Sequence, residues 1–229
     1  LLLQLESPSI CTIVRRVNRF VVEVKHAGKL TRAHINNTGR LLEYIKEGKT
    51  AYCLPHRGKT EFRLIAVDEE GSGALIDTQL QMKSFEEAVR RGLLDWAKCE
   101  IVSRAPRVGS SKLDYLLSCG GYKVFTELKS AVLRQDGYAM YPDCPTLRGR
   151  RHIWELIELA RIGHKALIVF VAGIRGVTAF KPYVEGDAEV ARLLKMAYES
   201  GVGIRAFSVY YEPETSKIIL DKSSLEIVL

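Results

Sequence analysis

The sequence predicts a two-domain α/β protein of the α+β kind, in which a small N-terminal β-barrel precedes a mixed sheet flanked by helices. Two observations carry this. Residues 11–78 read almost entirely as short strands, and at Met82 the hydrophobic period changes to that of an amphipathic helix. From there helices and strands alternate on the scale of a layered domain. The chain of 229 residues is 47% hydrophobic and 27% charged, enough apolar residue for a core of its own.

In the first segment, "CTIVRRV", "FVVEVKH", "KLTRAHI", "TAYCLP", "EFRLIAVDE" and "ALIDT" are β-branched or aromatic. Turn signals such as "HAGK" and "EEGSG" separate them, and a short helical "RLLEYI" interrupts them. Five or six strands in so short a length suggest an OB-like barrel, because closure removes exposed sheet edges. The opening "LLLQLESPS" lacks a basic leader region and is too short to span a bilayer, so it reads as a strand or an ordered tail.

"MKSFEEAVRRGLLDWA" places Phe85, Ala88, Val89, Leu93 and Trp96 at helical spacing, with Ser84 as the expected N-cap. The boundary is therefore set near residue 80, dividing the chain into 1–80 and 81–229. The second domain reads as strands "KCEIVSR", "KLDYLLS" and "YKVFTELKS", an irregular loop, and helix "RGRRHIWELIELARIG". Strands "KALIVFVAG" and "GVTAFKP", helix "DAEVARLLKMAYESG" and strand "IRAFSVYYE" complete it.

Gly120-Gly121 is a strong hairpin signal, since both central positions of a type I′ turn need positive φ. That turn pairs Cys119 with Tyr122, Leu117 with Val124, Leu116 with Phe125 and Tyr115 with Thr126, and sets Asp114 across from Glu127. Lys129, two residues beyond Glu127, projects from the same face. Opposed carboxylates on an apolar hairpin need solvent, a shared proton or a divalent cation. Two readings follow. Asp114, Glu127, Lys112 and Lys129 form a solvated ion-pair ladder, or Asp114 and Glu127 hold Mg²⁺ with Lys129 beside the reacting water. Glu100, on the strand entering the hairpin, is a candidate third carboxylate. Downstream, "MYPDCPTLRGRRHIWEL" gathers Asp143, Thr146, Arg148, Arg150, Arg151 and His152 at a helix entry, a pattern suited to phosphate.

Net charge is +7 with a pI near 9.1, which favours a polyanionic partner. Residues 1–40 hold seven Lys or Arg against two acids. "RRVNRF" and "HINNTGR" mix Arg16, Asn18, Arg19, Asn37 and Arg40 with an aromatic, the residue types that grip phosphates and stack bases. Five cysteines without C-x-x-C spacing point to neither a disulfide framework nor a zinc site, and read as reduced thiols. No nucleotide loop or G-x-G-x-x-G appears, which weighs against a sugar-metabolising enzyme.

Taken together, "RVNRF" (16–20), "NTGRL" (37–41), "GSSKLDYLL" (109–117), "ELKS" (127–130) and "YPDCPTLRGRRH" (141–152) resemble the sugar fermentation stimulation protein A (SfsA) family. The resemblance implies an OB-like domain followed by a PD-(D/E)XK nuclease-like domain that binds DNA. It places Asp114 at the Asp position of that motif, Glu127 and Lys129 at the (D/E)XK positions, and Glu100 at an upstream acidic position. The expected function is a DNA-binding protein with a Mg²⁺- or Mn²⁺-dependent phosphodiesterase site. Asp114, Glu127 and Glu100 would hold metal and Lys129 would act at the reaction centre. DNA would meet Arg16, Asn18, Arg19, Asn37, Arg40, Arg148, Arg151 and His152. The alternative is a non-catalytic DNA-binding regulator of sugar metabolism genes. The expected setting is cytoplasmic, without a membrane partner, and a homodimer is compatible with the sequence. Departures from the family pattern (Lys112-Leu113, Cys144, "QLQM" at 79–82) remove no candidate ligand.

Overall fold

The computed structural model describes residues 1–109 and 111–229. A two-residue strand, β1 (Leu3–Gln4), precedes β2 (Ser9–Asn18), β3 (Val21–His26), β4 (Lys29–His34), β5 (Thr50–Pro55) and β6 (Phe62–Glu69). β2 pairs with β3 and β5, β3 with β4, and β5 with β6. A parallel pairing of β4 with β6, Ala33 with Phe62 and His34 with Arg63, closes the ring. This is the expected OB-like barrel. Side chains alternate inward, so Cys11, Ile13, Val22, Val24 and Ala33 are buried while their neighbours Thr12 and Arg32 face water.

Between β4 and β5 the expected helix over "RLLEYI" is a single turn. The N–H groups of Tyr44 and Ile45 both return to the Leu41 carbonyl, and the chain does not continue the coil. The Tyr44 hydroxyl donates to the Val132 carbonyl at 2.6 Å, so this turn is pinned to the second domain instead of extended.

β7 (Ser72–Leu75) leads into α1 (Thr78–Arg90). The N-cap is Asp77, whose carboxylate accepts from Leu80 N at 2.8 Å and lies 3.0 Å from the Arg63 guanidinium. Ser84, the expected cap, lies buried within the helix and donates to the Leu80 carbonyl. The early start is hidden in sequence because Thr78, Gln79 and Gln81 carry no apolar period.

The second domain continues with β8 (Cys99–Arg104), the short β9 (Arg107–Val108) and β10 (Ser111–Lys112), β11 (Tyr115–Cys119) and β12 (Tyr122–Ser130). Then come β13 (Leu133–Gln135), β14 (Tyr138–Tyr141), α2 (Leu147–Arg161), β15 (Lys165–Ala172), β16 (Ala179–Pro182) and α3 (Ala188–Glu199). β17 (Gly203–Glu212), β18 (Lys217–Lys222) and β19 (Glu226–Ile227) end it. The stretch expected as an irregular loop holds β13 and β14, which join β16 and β19 in a small separate sheet.

The main sheet runs β7-β17-β15-β12-β11-β8, with β12, β15 and β17 parallel. It is continuous with the barrel through β6–β7 and β7–β17. Helices cover both faces, as parallel strands require. On one face Phe85, Ala88 and Val89 of α1 pack with Tyr115, Leu117, Leu128, Val169 and Val171. On the other, Ile153, Leu156 and Ile157 of α2 and Val190, Leu194 and Ala197 of α3 pack with Ile168 and Phe170. The period of two thus sends Leu128 toward α1 and leaves Glu127 and Lys129 on the α2 side.

The cysteine expectation is corrected. Cys99 and Cys119, 20 residues apart in sequence, form a disulfide across β8 and β11. Spacing alone could not reveal it, because the pair meets only through strand register. Cys11 and Cys53 are buried thiols and Cys144 is half-buried. β1 pairs with β18, so the opening segment is a strand, as expected. Among the described residues, no helix is long and apolar enough to cross a membrane.

Candidate metal and nucleic-acid site

Gly120 and Gly121 adopt φ of +56° and +86°, and the hairpin takes the expected register from Cys119–Tyr122 to Tyr115–Thr126. The ladder stops there. Asp114 turns its carboxylate onto the backbone, and its Oδ2 accepts from Leu128 N at 2.8 Å. The Leu113 N–H goes to the Pro106 carbonyl, so beyond Tyr115 this side-chain bond takes the place of ladder pairing with β12, and the expected Asp114–Glu127 ladder pair is not formed. Asp114, Glu127, Lys129 and Arg148 line one cavity, whose rim includes Asn36 and Thr38 from the barrel.

The solvated-ladder reading fails on burial. Glu127 is 3% exposed, and β12 sets it beside Ile168 of the parallel β15. Lys129 is almost as enclosed, with its side chain 10% exposed, and its ammonium donates to Glu127 Oε1. Lys112 is exposed on β10, away from the pair.

His152, buried on α2, sets its Nδ1 against the same Glu127 Oε1. Its Nε2 lies 3.4 Å from Arg148 Nε, one helical turn back. That contact makes Nε2 the acceptor and Nδ1–H the donor to the carboxylate. Glu127 Oε2 is buried and has no hydrogen-bond partner among the described residues.

Electrostatics follow the geometry. Burial, and then the neighbouring Glu127, push the Asp114 carboxyl up from 3.8 to about 6. Burial also opposes charge on Glu127, but Lys129 and His152 outweigh it and hold that carboxyl below its ordinary value. Burial disfavours the Lys129 ammonium, and Glu127 more than offsets this, so its pKa is raised. A buried carboxylate held ionised, with one oxygen saturated and one free, beside a carboxyl of raised pKa is a donor set that fits a hard divalent cation. The buried orphan oxygen is the feature such an ion would satisfy.

Glu100 does not join them. It is exposed and pairs with Ser118 near the opposite end of β11, because the strand before the hairpin runs antiparallel to it. Among the described residues, no group of three or more His, Cys, Asp or Glu side chains gathers in ligand geometry.

The expected nucleic-acid residues divide into two sets. Arg16 spends its five N–H groups on the carbonyls of Asn18, Arg19, Asn37, Gly39 and Arg40, at 2.6–3.3 Å, and has none left for phosphate. Burial lowers its pKa accordingly. Asn37 is buried, giving Nδ2 to the Ile76 carbonyl and Ser130 Oγ and accepting from Gly39 N, so it ties the barrel to β12. Asn18 accepts from Phe20 N and shapes the β2–β3 turn. His152 serves Glu127 instead of solvent. In contrast Arg19, Arg40, Arg148 and Arg151 are exposed.

The helix entry is likewise split. Thr146 caps α2 by accepting from Gly149 N at 3.1 Å, and Arg150 is held by Asp187 at 2.8 Å. Asp143 accepts from Leu41 N at 2.7 Å, docking the loop before α2 onto the barrel. The residues that sequence reasoning missed are of this docking kind. Asn36 takes the Thr78 N–H, and its Nδ2 is a buried group at the cavity wall without a partner among the described residues. No chemical pattern around it signals this; only the adjacent "NTGR" hinted at the loop.

Two family profiles match the chain: the SfsA N-terminal OB domain over residues 14–76, and the sugar fermentation stimulation protein RE domain over residues 79–215. Relatives named sugar fermentation stimulation protein homolog include one from Pyrococcus furiosus, 48% identical over 95% of both chains. Another, from Archaeoglobus fulgidus, is 45% identical over 100% of this chain and 99% of its own. The solved structure of Pyrococcus furiosus SfsA in complex with Ca²⁺ superposes with a TM-score of 0.96 at 46% identity, covering 100% of this chain and 99% of the other.

Proposed function

The chain belongs to the sugar fermentation stimulation protein family, and on that premise we propose that it is a DNA-binding protein with a divalent-metal-dependent phosphodiesterase site of PD-(D/E)XK type. One observation carries the reading: the buried Glu127, with Oε1 taken by Lys129 and His152 and Oε2 without a partner among the described residues, in the cavity it shares with Asp114. The 46%-identical Pyrococcus furiosus SfsA forms a complex with Ca²⁺, which supports the use of a divalent cation.

Asp114 and Glu127 would hold the ion, Mg²⁺ or Mn²⁺, with the Leu128 carbonyl nearby. When bound, it supplies Lewis-acid stabilisation of a phosphoryl oxygen, a contribution of several kcal/mol. The protein's own groups do the rest. Lys129 keeps Glu127 ionised and brings a positive charge to the cavity where the scissile phosphate would lie. His152 fixes the carboxylate's orientation, as the outer partners of metal ligands do. Arg148 and Arg151, exposed at the start of α2, meet flanking phosphates, while Arg19 and Arg40 extend the cationic track onto the barrel.

The test is incubation of purified protein with labelled single- and double-stranded DNA in Mg²⁺, Mn²⁺ or EDTA. Metal-dependent product that disappears in Asp114→Asn supports the reading; product that survives the substitution undiminished sinks it. A second reading, a non-catalytic DNA-binding regulator of sugar metabolism genes, is favoured by the donor set of only two carboxylates among the described residues. It expects no product on any DNA, with Asp114→Asn altering binding alone.

A further inference from the structure

A second cavity adjoins the metal cavity, and none of the roles assigned above uses it. It has a volume of about 430 Å³ and lies between the barrel loop at residues 37–41 and the start of α2. Asn37, Thr38, Ser130 and Arg148 line both cavities, so a chain occupying one continues directly into the other. Its size falls within the ~300–1,000 Å³ of small-ligand sites.

Its chemistry is that of a nucleotide pocket. Leu41, Val132 and Met140 give the lining its apolar part, and Arg19 and Arg148, one from each domain, bring positive charge to it. The one carboxylate in the lining, Asp143, accepts from Leu41 N at 2.7 Å. Leu147, also in the lining, is 79% exposed. Phe20, 49% exposed, sits beside Arg19, whose guanidinium lies 5.9 Å from the ring centroid. Exposed apolar and aromatic side chains paired with arginine are the platform on which unpaired bases stack.

Resting on the proposed DNA-cleaving role, we infer that this cavity receives one unpaired nucleotide of a DNA strand whose neighbouring phosphate lies at Asp114 and Glu127. A base still stacked and paired in a duplex cannot enter so small a pocket, whereas a base in a single strand enters without the cost of unstacking. The site therefore selects single-stranded DNA, or duplex containing an unpaired nucleotide, over fully paired DNA.

The test measures binding in EDTA, so that cleavage plays no part. Fluorescence anisotropy compares a labelled oligonucleotide as single strand, as blunt duplex and as duplex with one unpaired nucleotide. The single strand and the interrupted duplex are expected to bind about tenfold or more tightly than the blunt duplex. Thr38→Trp, which fills the shared wall from an exposed position, should abolish the preference while leaving the melting temperature unchanged. Leu147→Ala should weaken the preference about threefold or more. Equal affinity for the three probes, or a preference that survives Thr38→Trp, overturns the inference and leaves the cleavage reading standing. Absence of binding to every probe overturns both.

Discussion

His152 Nδ1 and the Lys129 ammonium converge on a single oxygen of Glu127, and the other oxygen of this buried carboxylate has no partner among the described residues. The histidine comes from α2 and the lysine from β12, and each is enclosed on its own element. The consequence is a carboxylate whose charge and orientation are both determined by its surroundings.

Removing the histidine should therefore act through Glu127. His152→Ala is expected to weaken Mg²⁺ or Mn²⁺ binding about 10- to 100-fold, the usual effect of losing an outer partner of a metal ligand. His152→Asn, which can keep an N–H donor, should restore part of it. Calorimetric titration with Mn²⁺ would read both; unchanged affinity in the alanine variant would mean that His152 is packing only.

Lys129 differs, because its loss strands a buried charge. Lys129→Met should destabilise the fold by about 3–5 kcal/mol at pH 7, the range for breaking a buried pair from one side. The double variant Lys129→Met/Glu127→Gln should recover much of that stability. Urea unfolding of the two proteins checks this, and equal midpoints would contradict the buried-pair description.

The raised pKa of Asp114 makes a pH-dependent statement. A carboxyl lifted from 3.8 to about 6 in the fold favours its protonated form, so it supports stability fully below pH 3.8. That support is lost as pH rises through 6. In metal-free solution at pH 8, Asp114→Asn should then be more stable than the parent by up to about 3 kcal/mol. The gain should vanish near pH 3.5. Saturating Mn²⁺ at pH 8 should reverse the order, since the ion binds only the carboxylate. Thermal melts at the two pH values, with and without metal, decide it.

The arginines separate by role. Arg16→Ala should lower the melting temperature, because the carbonyls of the 37–40 segment lose their donor. Arg19→Ala, Arg40→Ala and Arg151→Ala together should leave the melt unchanged. They should weaken DNA binding across all sequences and reduce the slope of log K against log salt by about 2–3. A triple variant with the parent's salt slope would remove these three from the DNA-contacting surface.

Most of the barrel and of the central hairpin is legible in the residues. Alternating β-branched side chains force a period of two, and Gly120-Gly121 permits only a tight turn, so the register through Tyr115–Thr126 follows from local chemistry. The same period places Glu127 and Lys129 on one face. Glu100 shows where local reasoning stops. It reads as a neighbour of the site, but antiparallel pairing carries it along β11 toward the turn, away from Asp114. The Cys99–Cys119 bridge is invisible for the same reason, since contact across strands depends on register and not on spacing.

By itself, then, the sequence determined those features set by neighbouring residues: strand period, turn type, helix faces, and the pairing of an acid with a lysine two positions on. Only the tertiary structure decided which polar groups face inward. Arg16 and Asn37 have the composition of a phosphate-binding surface, yet Arg16 satisfies carbonyls of the 37–40 loop and Asn37 donates to the Ile76 carbonyl and to Ser130 of β12. His152 has the look of a helix-entry phosphate ligand, yet α2 packs it onto Glu127. A buried polar group must find a partner, and which partner is in reach depends on how distant segments are brought together, a relation that no stretch of the chain contains alone.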